Sequence, residues 1–152
     1  MKLRIQWVLL AMGAILAQGQ AIAGSGPDSS DPTNPFSFNV FTIGNDTQSN
    51  VDDQGRVAVG GNLSSTGLSV GTSLSGSKTN NLIVGGNYSN QNNTVNGNVF
   101  IGGKATVSDP TVNGNFSADS VDFSGYGRIN GNLTYASCYT NPNTTVTGRI
   151  SK

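Results

Sequence analysis

Apolar and polar residues alternate in short runs that recur along the chain. Five of these runs carry a pair of apolar residues two positions apart, and Ile150 begins another. The pairs are Val57/Val59, Leu82/Val84, Val99/Ile101, Phe116/Ala118 and Leu133/Tyr135. A period of two is typical of β-strands, because successive side chains of a strand point to opposite faces of the sheet. The pattern therefore predicts an all-β protein.

A second pattern places the strands at a fixed spacing. A Val/Ile-Asn-Gly-Asn phrase recurs with a constant step, at 95–98, 112–115 and 129–132, with a looser copy at 146–149. A constant repeat is typical of solenoids, in which each repeat forms one coil stacked on the one before. Asn-Gly pairs also form β-hairpins, but a series of hairpins would not keep one phrase length. We predict a single-domain β-solenoid, or β-helix, with about five coils of a 17-residue repeat.

The phrase also predicts what fills and joins the coils. Its first residue is expected to point inward beside a glycine corner. This second inward column is Val95, Val112, Ile129 and Val146. The asparagines are expected to hydrogen-bond from coil to coil. Their columns are Asn96/Asn113/Asn130 and Asn98/Asn115/Asn132. One longer step, from Val57 to Leu82, predicts an inserted loop near 71–76.

The N-terminal residues have the three parts of a secretory signal peptide. A basic start is followed by an apolar stretch and by small residues before Gly24. The apolar stretch is shorter than the roughly 20 residues that a membrane span needs, so we predict export and no membrane span after cleavage. Residues 36–43 are expected to form a cap or a first strand. The predicted segments are a signal peptide at 1–23, a flexible lead at 24–35 and the solenoid at 36–152.

Composition narrows the classes of function. Without Lys2 and Arg4, six basic residues remain against eight Asp, so no nucleic-acid partner is predicted. The single cysteine, Cys138, cannot form an internal disulfide, and we expect it to be a small buried apolar residue. The chain contains no His and no Glu, which leaves Asp and a few Lys as general bases.

Two groups of aspartates are the candidates for chemistry. Asp119 and Asp122 are expected near each other on the surface, as the carboxylate pair of a polysaccharide-active β-helix enzyme would be. Nothing predicts a desolvating pocket there, so solvated turn residues are the favoured interpretation. Asp46, Asp52 and Asp53 offer oxygen ligands for calcium, but turn chemistry explains them better. We predict no enzyme, no metal site and no cofactor.

Ice binding would require the same threonine in every coil on a flat face. The relevant column reads Thr94, Thr111, Arg128 and Thr145, so it is interrupted. Ice binding is therefore a minor alternative.

The polar surface and the last coil predict binding. Phe100, Tyr126 and Tyr139 are candidates for exposed rings, which stack on sugars or pack on a protein partner. Ile150 begins a strand with nothing stacked above it, and an uncovered solenoid end exposes backbone that can pair with another chain. We predict a self-association edge formed by Ile150, Val146 and Leu133. A subunit of an extracellular fibre is the structural alternative.

Two segments carry a resemblance to a known family. Residues 38–45 (FNVFTIGN) and 52–62 (DDQGRVAVGGN) resemble the opening of the bacterial choice-of-anchor A domain, a family similar to the ice-binding-like adhesive domains. The resemblance covers about 36–152 and implies an exported adhesive β-solenoid held to the cell by a C-terminal anchor. No sorting motif or hydrophobic tail follows Ile150, so a truncated or unanchored relative is expected. We predict a secreted surface or matrix binding module for a glycan or protein ligand.

Overall fold

The computed structural model describes residues 34–74 and 79–152. The predicted signal peptide and residues 24–33 of the predicted lead lie outside these residues. No helix within the described ranges is long and apolar enough to cross a bilayer. The ordered elements are a 3-10 helix (Pro35–Ser37) and the strands β1 (Val40–Thr42), β2 (Asp46–Asp53), β3 (Val57–Val59), β4 (Leu63–Val70), β5 (Asn80–Val84), β6 (Tyr88–Gln91), β7 (Thr94–Val95), β8 (Asn98–Ser108), β9 (Thr111–Val112), β10 (Phe116–Ser124), β11 (Arg128–Ile129), β12 (Leu133–Thr140), β13 (Thr145–Val146) and β14 (Ile150–Ser151).

These strands pair in parallel, each with a strand one coil away. Phe116 of β10 pairs with Val99 of β8 on one side and with Leu133 of β12 on the other, which reproduces the constant step of the sequence repeat. The predicted β-solenoid is confirmed, and the alternative of antiparallel hairpins is wrong. The described residues make about six coils. The additional coil is the first, residues 40–53, where the sequence indicated only a cap or a first strand.

Each coil runs along three faces, because the chain bends between strands. Face 1 contains β1, β3, β5, β14 and the first parts of β8, β10 and β12. Face 2 contains β6, the first parts of β2 and β4, and the last parts of β8, β10 and β12. Face 3 contains the ends of β2 and β4 with β7, β9, β11 and β13.

One apolar core fills the inside of the coils. The predicted apolar pairs of face 1 are buried, except Tyr135, which is half-buried in the last coil. In the second inward column Val95, Val112 and Ile129 are fully buried and Val146 is half-buried, as predicted. Each large apolar side chain that is fully buried contributes about 1.5–3 kcal/mol. Burial of this core therefore stabilises the stack of coils.

The longer step lies between β4 and β5, as predicted. Val57 of β3 pairs with Leu82 of β5, so the residues between them include more than one regular coil. The extra residues leave the coil after Val70, where Gly71 adopts a φ of 73° that favours glycine. Residues 75–78 of this insertion are outside the described ranges.

Asparagines join the coils at the bend between faces 3 and 1, which confirms both predicted columns. The Oδ1 of Asn98 accepts a hydrogen bond from the backbone N–H of Asn115, and Asn115 accepts from Asn132 in the same way, both at 2.8 Å. In the neighbouring column, the side-chain amide of Asn113 donates to the Oδ1 of Asn96 at 2.9 Å, and that of Asn130 donates to the Oδ1 of Asn113 at 2.8 Å. These bonds satisfy polar groups at a bend, where no sheet ladder is available.

Cys138 is exposed, so its predicted burial is wrong. The prediction was based on the usual burial of cysteine, and it did not consider which side chains of the strand alternate inward and outward. In β12 the inward residues are Leu133, Tyr135 and Tyr139, all an even number of positions apart. Cys138 directly precedes Tyr139 and therefore points outward, because neighbouring side chains of a strand lie on opposite faces.

The neighbouring strand β10 changes its phase at the bend between faces 1 and 2. Its inward residues are Ala118 before the bend and Val121 after it, an odd number of positions apart. The cause is a missing residue, since Asp119 alone in β10 stands opposite two residues of β12. The bend therefore decides which side of β10 faces the core.

Candidate functional site

A groove of about 460 Å³ runs across four coils, along the bend between faces 1 and 2. Its lining repeats from coil to coil, with an amide or a lysine at the bend and a hydroxyl two residues later. We call it the Asn–hydroxyl groove. The bend residues are Asn45, Asn62, Asn87 and Lys104, the hydroxyl residues are Thr47, Ser64, Ser89 and Thr106, and Asp46, Leu63 and Tyr88 lie between them.

The bend residues of the groove are held by a ladder of their own. The Oδ1 of Asn62 accepts a hydrogen bond from the backbone N–H of Asn87 at 2.8 Å. The Oδ1 of Asn87 accepts from the N–H of Lys104 at 2.9 Å. Because each Oδ1 is occupied by the next coil, the orientation of the amide is fixed, and its NH2 group is left for other partners.

This ladder was missed by the sequence analysis, although a signal for it was present. Gly-Gly-Asn triplets end at Asn62 and Asn87, and Gly-Gly-Lys ends at Lys104. The glycines are required by close stacking, since a Cβ on Gly102 would lie 2.4 Å from the carbonyl oxygen of Gly85. A glycine pair that recurs before a polar residue is therefore the sequence signature of this bend.

The hydroxyl side of the groove is an aligned and exposed column on face 2. Thr47 pairs with Ser64, Ser64 with Ser89, and Ser89 with Thr106. None of these four hydroxyls has a hydrogen-bond partner within the described residues. In the next coil Asp122 takes the same position, and its carboxylate binds the ammonium of Lys104 at 3.1 Å. This ion pair ends the hydroxyl column.

The floor of the groove covers a buried tyrosine. The hydroxyl of Tyr88 lies inside the solenoid, where it accepts a hydrogen bond from the side-chain amide of Asn93 at 3.0 Å. Burial raises the pKa of Tyr88 to about 12. The phenol therefore stays neutral at any pH that cells tolerate, and its role is to connect polar groups in the core.

The aspartates considered for calcium do not form a ligand set. Asp52 is exposed and accepts a hydrogen bond from the Thr72 hydroxyl at 2.7 Å, whereas Asp46 and Asp53 are half-buried. No three Asp, Glu, His or Cys side chains able to hold a metal ion come together in residues 34–74 and 79–152. Asp53 instead occupies the position that Val70 takes in the next coil. The first coil thus places a carboxyl group at a core position.

We expect Asp53→Asn to raise the melting temperature at pH 7 and to leave it nearly unchanged at pH 3. Burial raises the pKa of Asp53, and the charges of Asp46 and Asp52 raise it further. The folded protein therefore binds this proton more tightly than the unfolded chain. The resulting stability is complete below the pKa of the unfolded carboxyl, about 3.9, and is lost as the pH rises through the folded-state value.

Thermal unfolding followed by circular dichroism at both pH values checks this expectation. Asp119→Asn is the control, because Asp119 is exposed and the substitution removes the same charge. Equal melting temperatures of Asp53→Asn and the unmodified protein at pH 7 would contradict the burial of this carboxyl.

The two aspartates considered for catalysis bind different neighbours. The Ser137 hydroxyl donates to the Asp119 carboxylate at 3.1 Å, and Asp122 binds Lys104. The side chain of Asp122 is 42% exposed, and Asp119 is also exposed. Each carboxylate is therefore exposed to solvent and bound to a neighbour of its own, so the two do not form a carboxylate pair around a shared substrate position.

Two of the three candidate aromatic residues are exposed as predicted. Phe100 is 46% exposed on face 1, and Tyr126 is 81% exposed. Tyr139 was wrongly expected on the surface, because it points into the last coil and stacks on Tyr135 with ring centroids 5.4 Å apart. The alternation that exposes Cys138 also turns Tyr139 inward.

The predicted self-association edge lies at the last coil. Ile150 is 45% exposed and pairs with Leu133, which is fully buried. Val146 of β13 is half-buried, and β13 and β14 each pair with one strand among the described residues. Only Ile150 of the three thus presents a largely exposed apolar side chain.

The threonine column considered for ice binding lies in register on face 3. Thr94, Thr111 and Thr145 share a column in which Arg128 takes the fourth position. The predicted interruption is therefore present.

A comparison with families of known proteins assigns this chain to one of them. Residues 36–150 match the family described as "Putative Ice-binding-like adhesive domain". The chain belongs to this adhesive-domain family. No match was found among curated proteins or among solved structures. The assignment confirms the adhesive-domain part of the resemblance, whereas membership of the choice-of-anchor A family stays a prediction. Membership of the adhesive-domain family indicates an adhesive role at the cell surface or outside the cell, and favours binding over catalysis.

Proposed function

We propose that this adhesive domain is exported and holds a glycan or protein ligand at the cell surface or in the extracellular matrix. The observation that carries the proposal is the family match over residues 36–150. Two further features support it. The N-terminal residues have the pattern of a signal peptide, and the Asn–hydroxyl groove exposes hydroxyls that have no partner in the described chain.

Export is tested on the protein recovered outside its producing cells. Mass spectrometry of the intact chain is expected to show an N-terminus at Gly24, because small residues precede this position. Recovery of the chain only from the cytoplasm, with residues 1–23 still attached, would exclude export.

Adhesion is tested with surfaces coated with extracellular glycans or matrix proteins. The processed protein is expected to bind at least one of them saturably, and excess soluble ligand is expected to release it. If the protein bound none of the coated surfaces, the proposed adhesive function would be wrong. The variant Asp119→Asn addresses the enzyme alternative, because a catalytic pair needs both Asp119 and Asp122, and we expect unchanged binding. Loss of polysaccharide cleavage in this variant would establish the enzyme instead.

Self-association is a second proposal, supported by the exposed Ile150 at the edge of the last coil. Apolar strand edges pair readily with other chains. Size-exclusion chromatography and electron microscopy are expected to show end-to-end species that Ile150→Asp dissociates. A strictly monomeric protein at high concentration would rule out both this association and the fibre.

A further inference from the structure

We propose that the Asn–hydroxyl groove binds a neutral linear polysaccharide, laid along the solenoid axis across four coils. The inference rests on the proposed function and names the class of ligand for it. The groove offers hydrogen-bonding groups at regular intervals, little net charge and no exposed apolar anchor.

The spacing of the groove favours a polymer with a short repeat. The bend residue and the hydroxyl return once per coil, and stacked strands lie about 4.8 Å apart. Four coils therefore cover about 14 Å along the axis. Each sugar unit of a linear glycan brings hydroxyl groups at a comparable interval. An extended peptide repeats its same-face groups every ~6.6 Å, which does not stay in step with the coils.

The chemistry of the groove favours a neutral, hydroxyl-rich ligand. The amides of Asn62 and Asn87 have donors to offer, because their oxygens are already occupied. The exposed hydroxyls beside them donate and accept. A sugar hydroxyl also does both, so it can bond to either side of the groove. Such paired hydrogen bonds in a shaped site give specificity for hydroxylated ligands.

Charge and burial disfavour other polymers. The ammonium of Lys104 is neutralised by Asp122, and the carboxyl of Asp46 is half-buried in the floor, so an anionic chain finds no free cation here. Leu63 and Tyr88 line the groove but are each only 1% exposed. They offer no pocket for the large apolar side chains that anchor protein interfaces. A concave groove also does not match the flat surface of ice.

The groove is preorganised for a weak but specific ligand. Its amides are oriented by the ladder between coils, and its hydroxyls sit on paired strands. Binding therefore orders few protein groups, which reduces its entropic cost. Asp122 limits the hydroxyl column to four coils, so a ligand of about three to four sugar units would fill it.

The test measures the affinity of the processed protein for cellohexaose and laminarihexaose by titration calorimetry. We expect the triple variant Ser64→Ala/Ser89→Ala/Thr106→Ala to weaken binding of the bound oligosaccharide by about tenfold or more, as the loss of three neutral hydrogen bonds implies. The control is Thr66→Ala/Gln91→Ala, which changes exposed residues of the same face outside the groove. The control is expected to keep full affinity, and circular dichroism checks that both variants fold.

Three results would overturn the inference. The first is that neither oligosaccharide binds, and the second is that the triple variant binds as tightly as the unmodified protein. The third is that the control loses as much affinity as the triple variant, which would place the ligand on the whole face. If the unmodified protein adsorbed to ice, and both the triple variant and the control variant lost this adsorption, the inference of a glycan groove would also be overturned. Adhesion to matrix proteins without oligosaccharide binding would reject the glycan groove and leave the adhesive function standing.

Discussion

Replacing Gly102 with alanine is expected to lower the free energy of unfolding by about 3 kcal/mol. Gly102 lies at the bend between faces 1 and 2, directly over Gly85 of the preceding coil. An added Cβ would approach the carbonyl oxygen of Gly85 to 2.4 Å, so one of the two backbones must move. Movement would break the hydrogen bond from Lys104 to Asn87 at the same bend. The clash therefore cannot be relieved locally.

Gly44 provides the matched control for this substitution. It lies at the same bend in the first coil, where an added Cβ meets no atom within 4 Å. Gly44→Ala is expected to change the free energy of unfolding by less than about 0.5 kcal/mol. Urea denaturation followed by circular dichroism measures both variants. If Gly102→Ala were as stable as Gly44→Ala, the close stacking of the glycine bends would be wrong.

Replacing Phe116 with alanine is expected to lower the free energy of unfolding by about 3–5 kcal/mol. Phe116 is fully buried and stacks between Val99 and Leu133 of the neighbouring coils. Its ring also contacts Phe123 edge-on, with centroids 5.1 Å apart. The substitution leaves a cavity in the middle of the column, and the coils on either side are too constrained to fill it.

Phe100→Ala is the control, because Phe100 also lies on face 1 and points outward with 46% of its surface exposed. Its removal loses only part of the area that Phe116 buries, and we expect a cost of about 1–2 kcal/mol. Equilibrium unfolding in urea measures the difference between the two phenylalanines. Equal costs would contradict the alternation that places one ring in the core and the other in solvent.

Much of the fold could be predicted because it repeats. A side chain that must fit between copies of itself recurs at the same position of each coil, so Val95, Val112 and Ile129 are visible in the sequence as one column. The asparagines at 98, 115 and 132 follow the same rule, since each one bonds to the next coil. The first coil was missed because its inward positions include polar residues such as Asp53. Its backbone nevertheless pairs with β4 in register.

The candidate site was harder to predict, because it depends on how the chain bends. The residues of the groove are far apart in the chain and share a surface only once the Gly-Gly bends stack. Hydroxyls of Ser and Thr are common in the whole chain, so the four in one column did not stand out. Their alignment beside the amides is a property of the bend between faces 1 and 2.

Sequence alone therefore determined the solenoid, its period, its core columns and the ladder at 98, 115 and 132. These features depend on repetition, and repetition is visible in one dimension. Only the tertiary structure decided which side chains of a strand point inward after the bend between faces 1 and 2. In β12 the alternation continues through the bend, so Tyr139 points inward. In β10 it is reversed at Asp119. The tertiary structure also decided the Asn–hydroxyl groove, since neighbouring coils bring together side chains that are distant in the chain. Local alternation is fixed by strand geometry, whereas its phase after each bend depends on stacking against the coil below.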